Sequence, residues 1–446
     1  MLLIAKFQMF LHEAAELIRT RKVTPVDLLN ECLARIDQFE SRVHAWVFVA
    51  RKEAREQAEQ LTNELERGFY RGPLHGIPIG VKDIFDVFDW PTAAGSKLWA
   101  NSFARKDCPV VERLRQAGAV FIGKTVTTAF ASFDPPPTKN PWNLERTPGG
   151  SSSGSAAAIA SGMCLGATAS QTGGSITRPA SFCGVCGIKP SYGRVNAEGV
   201  VALAPSMDHP GVMAGCVKDL AILFSAISDP YPTFHALTAS VEPEQPPRLG
   251  LLGGIFTERA APEMQNAMAA AVRRFQEAGA RITPMDPPAP FLEVVQQHAV
   301  IMAVEAAEVH EQRIHKHPED YPPKISGLIR EGLATSATAY VRSLHHKDIL
   351  TDALTEQLEL SEARAFLCPA TLDAAPPAAT TGDPIFNSPW SYTGLPVISF
   401  PIGWTKDGLP LCAQLIGDKF NEEELFRWAV WCERGAGFKT RTPFAT

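Results

Sequence analysis

Two glycine–serine loops, Gly149-Gly150-Ser151-Ser152-Ser153-Gly154-Ser155 and Gln171-Thr172-Gly173-Gly174-Ser175-Ile176, bracket a run of small residues. Within it, Ser153 to Gly162 is rich in alanine and reads as a helix. Ala167 to Ser170 reads as a strand that runs into the Gly173-Gly174 turn. Strand–helix alternation continues on both sides of this block. It predicts an α/β fold: one large domain around a mixed, twisted sheet, with helices on both faces.

Upstream, Phe10, Leu11, Ala14, Leu17 and Ile18 recur at helical spacing. Thr24-Pro25-Val26-Asp27 has the form of a helix start, with Thr24 as N-cap and Pro25 at the first helical position. The apolar face of this helix would be Val26, Leu29, Leu33 and Ile36. Arg51 to Leu65 predicts a third helix, largely charged and solvated on one side. Leu74 to Lys82 reads as a strand, but its proline suggests an edge or interrupted one. A helix over Val110–Ala117 and a short strand over Val120–Ile122 follow. Near the C-terminus, Val397–Phe400 and Ala413–Ile416 read as strands and Glu422–Cys432 as a closing helix. Asp229 to Pro247 is proline-rich and reads as a long loop. Residues 290–365 read as mostly helical.

Composition removes several function classes. With 446 residues, 45% of them apolar, the chain can bury a large core. Net charge is −6 and the basic residues are scattered, so no stripe announces nucleic acid. No apolar run reaches the ~18 residues that span a bilayer. The apolar start, Met1 to Ala5, is interrupted by Lys6 too soon for a secretory signal. The expected location is the cytoplasm. Nine cysteines without scaffold spacing fit reduced thiols. Cys183 and Cys186 form a Cys-x-x-Cys with no second ligand pair, and read as small core residues. His298, His310, His315, His317, His345 and His346 lack metal-binding spacing and read as solvated surface histidines.

Two motif matches fail on their context. Gly118 to Thr125 fits the phosphate-loop formula, yet its inner residues are a buried strand where that motif needs a flexible loop. Gly150 to Gly154 fits the nucleophile elbow with Ser152 at its centre. An elbow needs a strand immediately before it, and Arg146-Thr147-Pro148-Gly149 is a poor one.

What remains is chemistry without histidine. A serine hydroxyl is a poor nucleophile near neutral pH and needs a base. No histidine lies between His75 and His209, whereas Lys82 sits in Gly76-Ile77-Pro78-Ile79-Gly80-Val81-Lys82-Asp83. A lysine acting through a second serine is the economical arrangement. Glycine-rich turns such as Thr172 to Ser175 can aim successive backbone N–H groups at one point, as an oxyanion hole requires.

These residues make the chain similar to the amidase signature family, nearly end to end from Leu11-His12-Glu13-Ala14 to Gly408-Leu409-Pro410. The densest match runs from Pro148 through Pro190. The resemblance implies a single amidase signature domain over residues 1–446. Its parts would be N-terminal helices at about 8–66, a signature core at about 70–225, a variable substrate-cavity region at about 230–390, and C-terminal strands and helix at about 395–434. It implies Lys82 as catalytic base, Ser151 as bridging serine in an unusual cis peptide, and Ser175 as acyl-accepting nucleophile. Thr172, Gly173, Gly174 and Ser175 would supply the oxyanion hole, with Ser152 and Arg178 touching substrate. The implied activity is hydrolysis of a linear carboxylic amide, with no cofactor and no metal. The implied partner is a small amide, without nucleic acid or membrane, and a homodimer is admitted. The alternative within the family is an amidotransferase subunit that releases ammonia from glutamine for transamidation on tRNA.

Three departures narrow the resemblance: Gln171 stands where an acid is common, Ser153 where glycine is common, and Ser391 where asparagine is common. Thr177-Arg178 after Ile176 is a malonamidase-like variant. Arg178 either holds a substrate carboxylate bidentately or pairs with an internal acid.

Overall fold

The computed structural model describes residues 9–229 and 245–444. Most of the loop read between Asp229 and Pro247 therefore lies outside the described residues.

The predicted helix starts are built as expected. Thr24 Oγ1 accepts the Asp27 N–H at 3.1 Å, and Asp27 Oδ2 accepts the Thr24 N–H at 3.0 Å. This reciprocal cap opens the helix Pro25–Val43, which buries Leu29, Leu33 and Ile36. Helices Leu11–Arg19, Arg51–Glu66 and Pro109–Gln116 complete the N-terminal set.

Among the described residues eleven strands form one sheet. They are β1 (Trp46–Val49), β2 (Pro78–Lys82), β3 (Val120–Thr125), β4 (Gly166–Gln171), β5 (Cys186–Lys189) and β6 (His209–Ala214). Then come β7 (Arg248–Leu252), β8 (Arg281–Met285), β9 (Ala365–Pro369), β10 (Val397–Trp404) and β11 (Pro410–Ile416). Their order is β1-β3-β2-β4-β6-β5-β10-β11-β9-β7-β8. Pairing is parallel for β3-β2-β4 and for β9-β7-β8, and antiparallel across the middle, so the sheet is mixed. Alternation along each strand divides the core in two. Val120 and Ile122 belong to the cluster that holds Leu29, Ile36 and Ala156 on one face, while Phe121 belongs to the cluster that holds Leu114, Leu220 and Phe426 on the other.

Two readings need correction. β2 is an interior strand rather than an edge, hydrogen-bonded to β3 and β4. Pro78 is tolerated because it is the first residue of the strand, and its carbonyl still accepts the Leu165 N–H at 3.0 Å. The strand expected over Val120–Ile122 continues to Thr125, because Gly123 allows β1 to approach. A Cβ at Gly123 would lie 2.2 Å from the Phe48 carbonyl oxygen.

Candidate active site

β2 ends on Lys82, whose backbone N–H donates to Thr168 Oγ1 of β4 at 2.9 Å. Two residues along β4, Ser170 faces the same side. Lys82 Nζ lies 2.8 Å from Ser170 Oγ and 2.8 Å from Ser151 Oγ. The lysine is fully buried. Burial pulls its pKa well below the usual lysine range, against the opposing charge of Asp208. An amine kept neutral between two hydroxyls can accept a proton from either.

The first glycine–serine loop is held tightly. Its Gly150–Ser151 peptide bond is cis, and the Ser151 carbonyl accepts the Thr128 N–H at 3.2 Å. Gly149 has φ 84°, and a Cβ there would lie 2.7 Å from Pro179 Cα, so glycine is required. Ser153 Oγ donates to the Gly149 carbonyl at 2.8 Å. Ser152 joins the two loops. Its N–H donates to the Ser175 carbonyl at 3.3 Å, and its hydroxyl is bonded to the backbone of Ser170. No strand precedes it, so the elbow geometry is absent there.

The second loop is fixed from four directions. Gln171 Oε1 accepts the N–H groups of Ile176 and Thr177, each at 3.0 Å. Thr172 Oγ1 donates to Asp208 Oδ1 at 2.5 Å. His298 Nε2 lies 3.0 Å from the Thr172 carbonyl. The Gly174 carbonyl accepts the Arg178 N–H at 3.0 Å. Ser175 follows this turn, 6% exposed, just before the helix Thr177–Cys183. A cavity of about 170 Å³ opens against Ala131, Ser170, Thr172, Leu203 and Asp208.

Arg178 is buried beside the turn. Its Nη2 donates to the Gly150 carbonyl at 2.8 Å and reaches Thr381 Oγ1 at 3.5 Å, and neither is an acid. Nε and Nη1 have no partner among the described residues. Burial lowers its pKa to about 10, so it stays a cation at neutral pH. Nη1 packs against Gly174, where a Cβ would come within 2.9 Å.

The decoys resolve physically. Lys124 of the phosphate-loop formula is buried in β3, bonded to the Phe85 carbonyl at 2.8 Å and to Asp83 at 3.3 Å. The nine cysteines are buried free thiols. His298 and His310 are buried rather than on the surface, because they face partners inside the fold: His310 Nδ1 meets Tyr321 Oη at 3.0 Å. His12, Cys216 and Asp219 bring potential metal-ligand atoms within 4.8 Å of one another. Asp219 there accepts the Leu11 and His12 N–H groups and so caps the first helix. Among the described residues no helix is long and apolar enough to cross a membrane.

The Amidase family model matches residues 27–426. The chain belongs to the amidase family. An amidase from Pseudomonas putida is 31% identical, covering 97% of both chains. A glutamyl-tRNA(Gln) amidotransferase chain from Syntrophus aciditrophicus is also 31% identical, covering 98% of this chain and 99% of its own. The solved peptide amidase of Stenotrophomonas maltophilia superposes with a TM-score of 0.88 at 25% identity, covering 99% of each chain. The protein is thus an amidase-family enzyme of the mixed α/β architecture just described. In this amidase, Ser170, Asp208 and His298 also reach the site, and sequence reasoning missed them. Period-2 alternation of Thr168 and Ser170 along β4 was a usable signal for one of them. Asp208 and His298 had none, because each is brought in from a distant element.

Proposed function

We propose that this enzyme hydrolyses a small linear carboxylic amide through an acyl-enzyme formed on Ser175. The observation that supports this most strongly is the 2.8 Å contact between a fully buried Lys82 amine and Ser151 Oγ. In this reading neutral Lys82 takes the Ser151 proton, and Ser151 takes the proton of Ser175. Ser175 Oγ bonds to the amide carbon, and the oxyanion is met by N–H groups of Thr172 to Ser175. Collapse breaks the carbon–nitrogen bond, and the proton returns through Ser151 to the departing amine. Water then cleaves the ester by the same relay, restoring Ser175. Ser152, with its hydroxyl committed to the Ser170 backbone, holds the two loops together. The orphaned Nε and Nη1 of Arg178 favour a substrate that carries a carboxylate near the scissile amide.

Ser175→Ala should abolish labelling by a fluorophosphonate probe, while Ser152→Ala should still label. The reverse pattern would overturn the assignment. The second reading, an ammonia-supplying component of an amidotransferase, draws on the amidotransferase relative. It predicts activity only with ATP and a partner protein, whereas the hydrolase should cleave simple amides alone.

A further inference from the structure

We propose that His298 is a positioning residue of the reaction, one that sets and polarises the Gly173 N–H of the oxyanion hole from behind. The inference rests on the hydrolase reading above. His298 lies on the helix Val294–Lys316, in the region whose sequence reads as variable substrate cavity.

The geometry is specific. His298 Nε2 lies 3.0 Å from the carbonyl oxygen of Thr172. That oxygen can only accept, so Nε2 carries the hydrogen. Burial lowers the imidazole pKa to about 4, which leaves the ring neutral with its lone pair on Nδ1. The Thr172 carbonyl and the Gly173 N–H belong to one planar peptide and point in opposite directions. Fixing the carbonyl toward His298 therefore fixes the Gly173 N–H toward the side away from His298. A carbonyl that accepts a hydrogen bond also makes the N–H of the same peptide a stronger donor. The ring packs on Gly173 itself, since a Cβ there would sit 3.4 Å from Cε1.

The same helix also holds the segment that leads to Asp208. Glu305 accepts the Ser206 N–H at 2.8 Å and the Ser206 hydroxyl at 2.5 Å. Two residues on, Asp208 accepts from Thr172 Oγ1. The helix thus contacts the Thr172 carbonyl directly, and it holds Ser206 in the segment whose Asp208 accepts from the Thr172 hydroxyl. His298 is the side chain through which this helix meets the turn directly.

The test measures the second-order rate of fluorophosphonate labelling, which places a phosphoryl oxygen in the hole and needs no knowledge of the natural substrate. His298→Leu fills the space without a donor. His298→Gln puts an N–H near the position of Nε2, and His298→Asn is too short to do so. Removing an oxyanion donor outright costs about 100- to 1000-fold. An indirect effect should be smaller: His298→Leu and His298→Asn slower by about tenfold, and His298→Gln within about threefold of the native rate, at similar melting temperatures. If His298→Leu does not fold, the Gln and Asn pair decides alone. Native-rate labelling in Leu or Asn, or Gln as slow as Asn, overturns the proposal. Labelling that persists in Ser175→Ala instead overturns the reading beneath it.

Discussion

Gln171 and Ser391, 220 positions apart, are joined by a 3.2 Å hydrogen bond from Gln171 Nε2 to Ser391 Oγ. Both are positions where the chain departs from the commoner family pattern of an acid and an asparagine. The structure makes them one feature. The amide oxygen of Gln171 does what a carboxylate would do, accepting the Ile176 and Thr177 N–H groups. Its amide nitrogen then needs an acceptor, and a hydroxyl supplies one.

Gln171→Glu should retain both acceptor contacts and keep fluorophosphonate labelling within a few-fold of native. Gln171→Leu leaves two buried N–H groups without a partner. At about 1–3 kcal/mol each, this should lower stability by about 2 kcal/mol or more and slow labelling with it. Thermal melts and labelling rates on both variants check this.

Activity should depend on a deprotonated Lys82. Burial holds its pKa well below 10.5, so kcat/KM should rise with pH and level off before the ordinary lysine range. Lys82→Arg should be as inactive as Lys82→Ala, because arginine keeps its proton. Stability carries the same sign. Between the depressed folded pKa and 10.5 the unfolded chain binds more protons, so native stability rises with pH there. A Lys82→Met variant should show a shallower rise, the remainder coming from other buried lysines such as Lys189 and Lys124, as read from melts at several pH values.

Arg178→Ala should separate two substrates. Comparing a half-amide of a dicarboxylic acid with its neutral analogue, kcat/KM should fall about 10- to 100-fold further for the acid, since a charge-assisted hydrogen bond is worth about 1.5–3 kcal/mol. A smaller loss should be common to both, because Nη2 also holds the Gly150 carbonyl. Equal losses on both substrates would remove the specificity claim.

Two glycines should respond oppositely to alanine. At Gly154 a Cβ would lie 2.2 Å from the Ala45 carbonyl oxygen and 2.3 Å from the Val126 nitrogen. Gly154→Ala should cost about 1–3 kcal/mol or more. At Gly327, in the helix Pro323–Ala334, nothing lies within 4 Å. Gly327→Ala should gain up to about 1 kcal/mol. Denaturant midpoints of the two variants check both signs.

The amino-acid sequence by itself determined the local features. The Thr24–Asp27 cap, the helical periodicity of residues 10–18, the alanine-rich helix and the glycine turns are contacts over a few positions. Each is decided by side-chain chemistry and backbone freedom alone. It also carried the two serines and the lysine, because the loops that hold them have a distinctive composition. Tertiary structure decided what required sheet order. β2 is interior because β3 and β4 flank it, which no property of Leu74–Lys82 reveals. Lys82 finds Ser170 across 88 positions only when β2 and β4 pair in parallel. Arg178 hydrogen-bonds to a backbone carbonyl and a threonine from distant loops rather than to an acid. His298 is buried because its helix packs over the Thr172–Ser175 turn. Periodicity reports which face of an element is buried, but the partner on that face is set by packing between segments far apart in the chain.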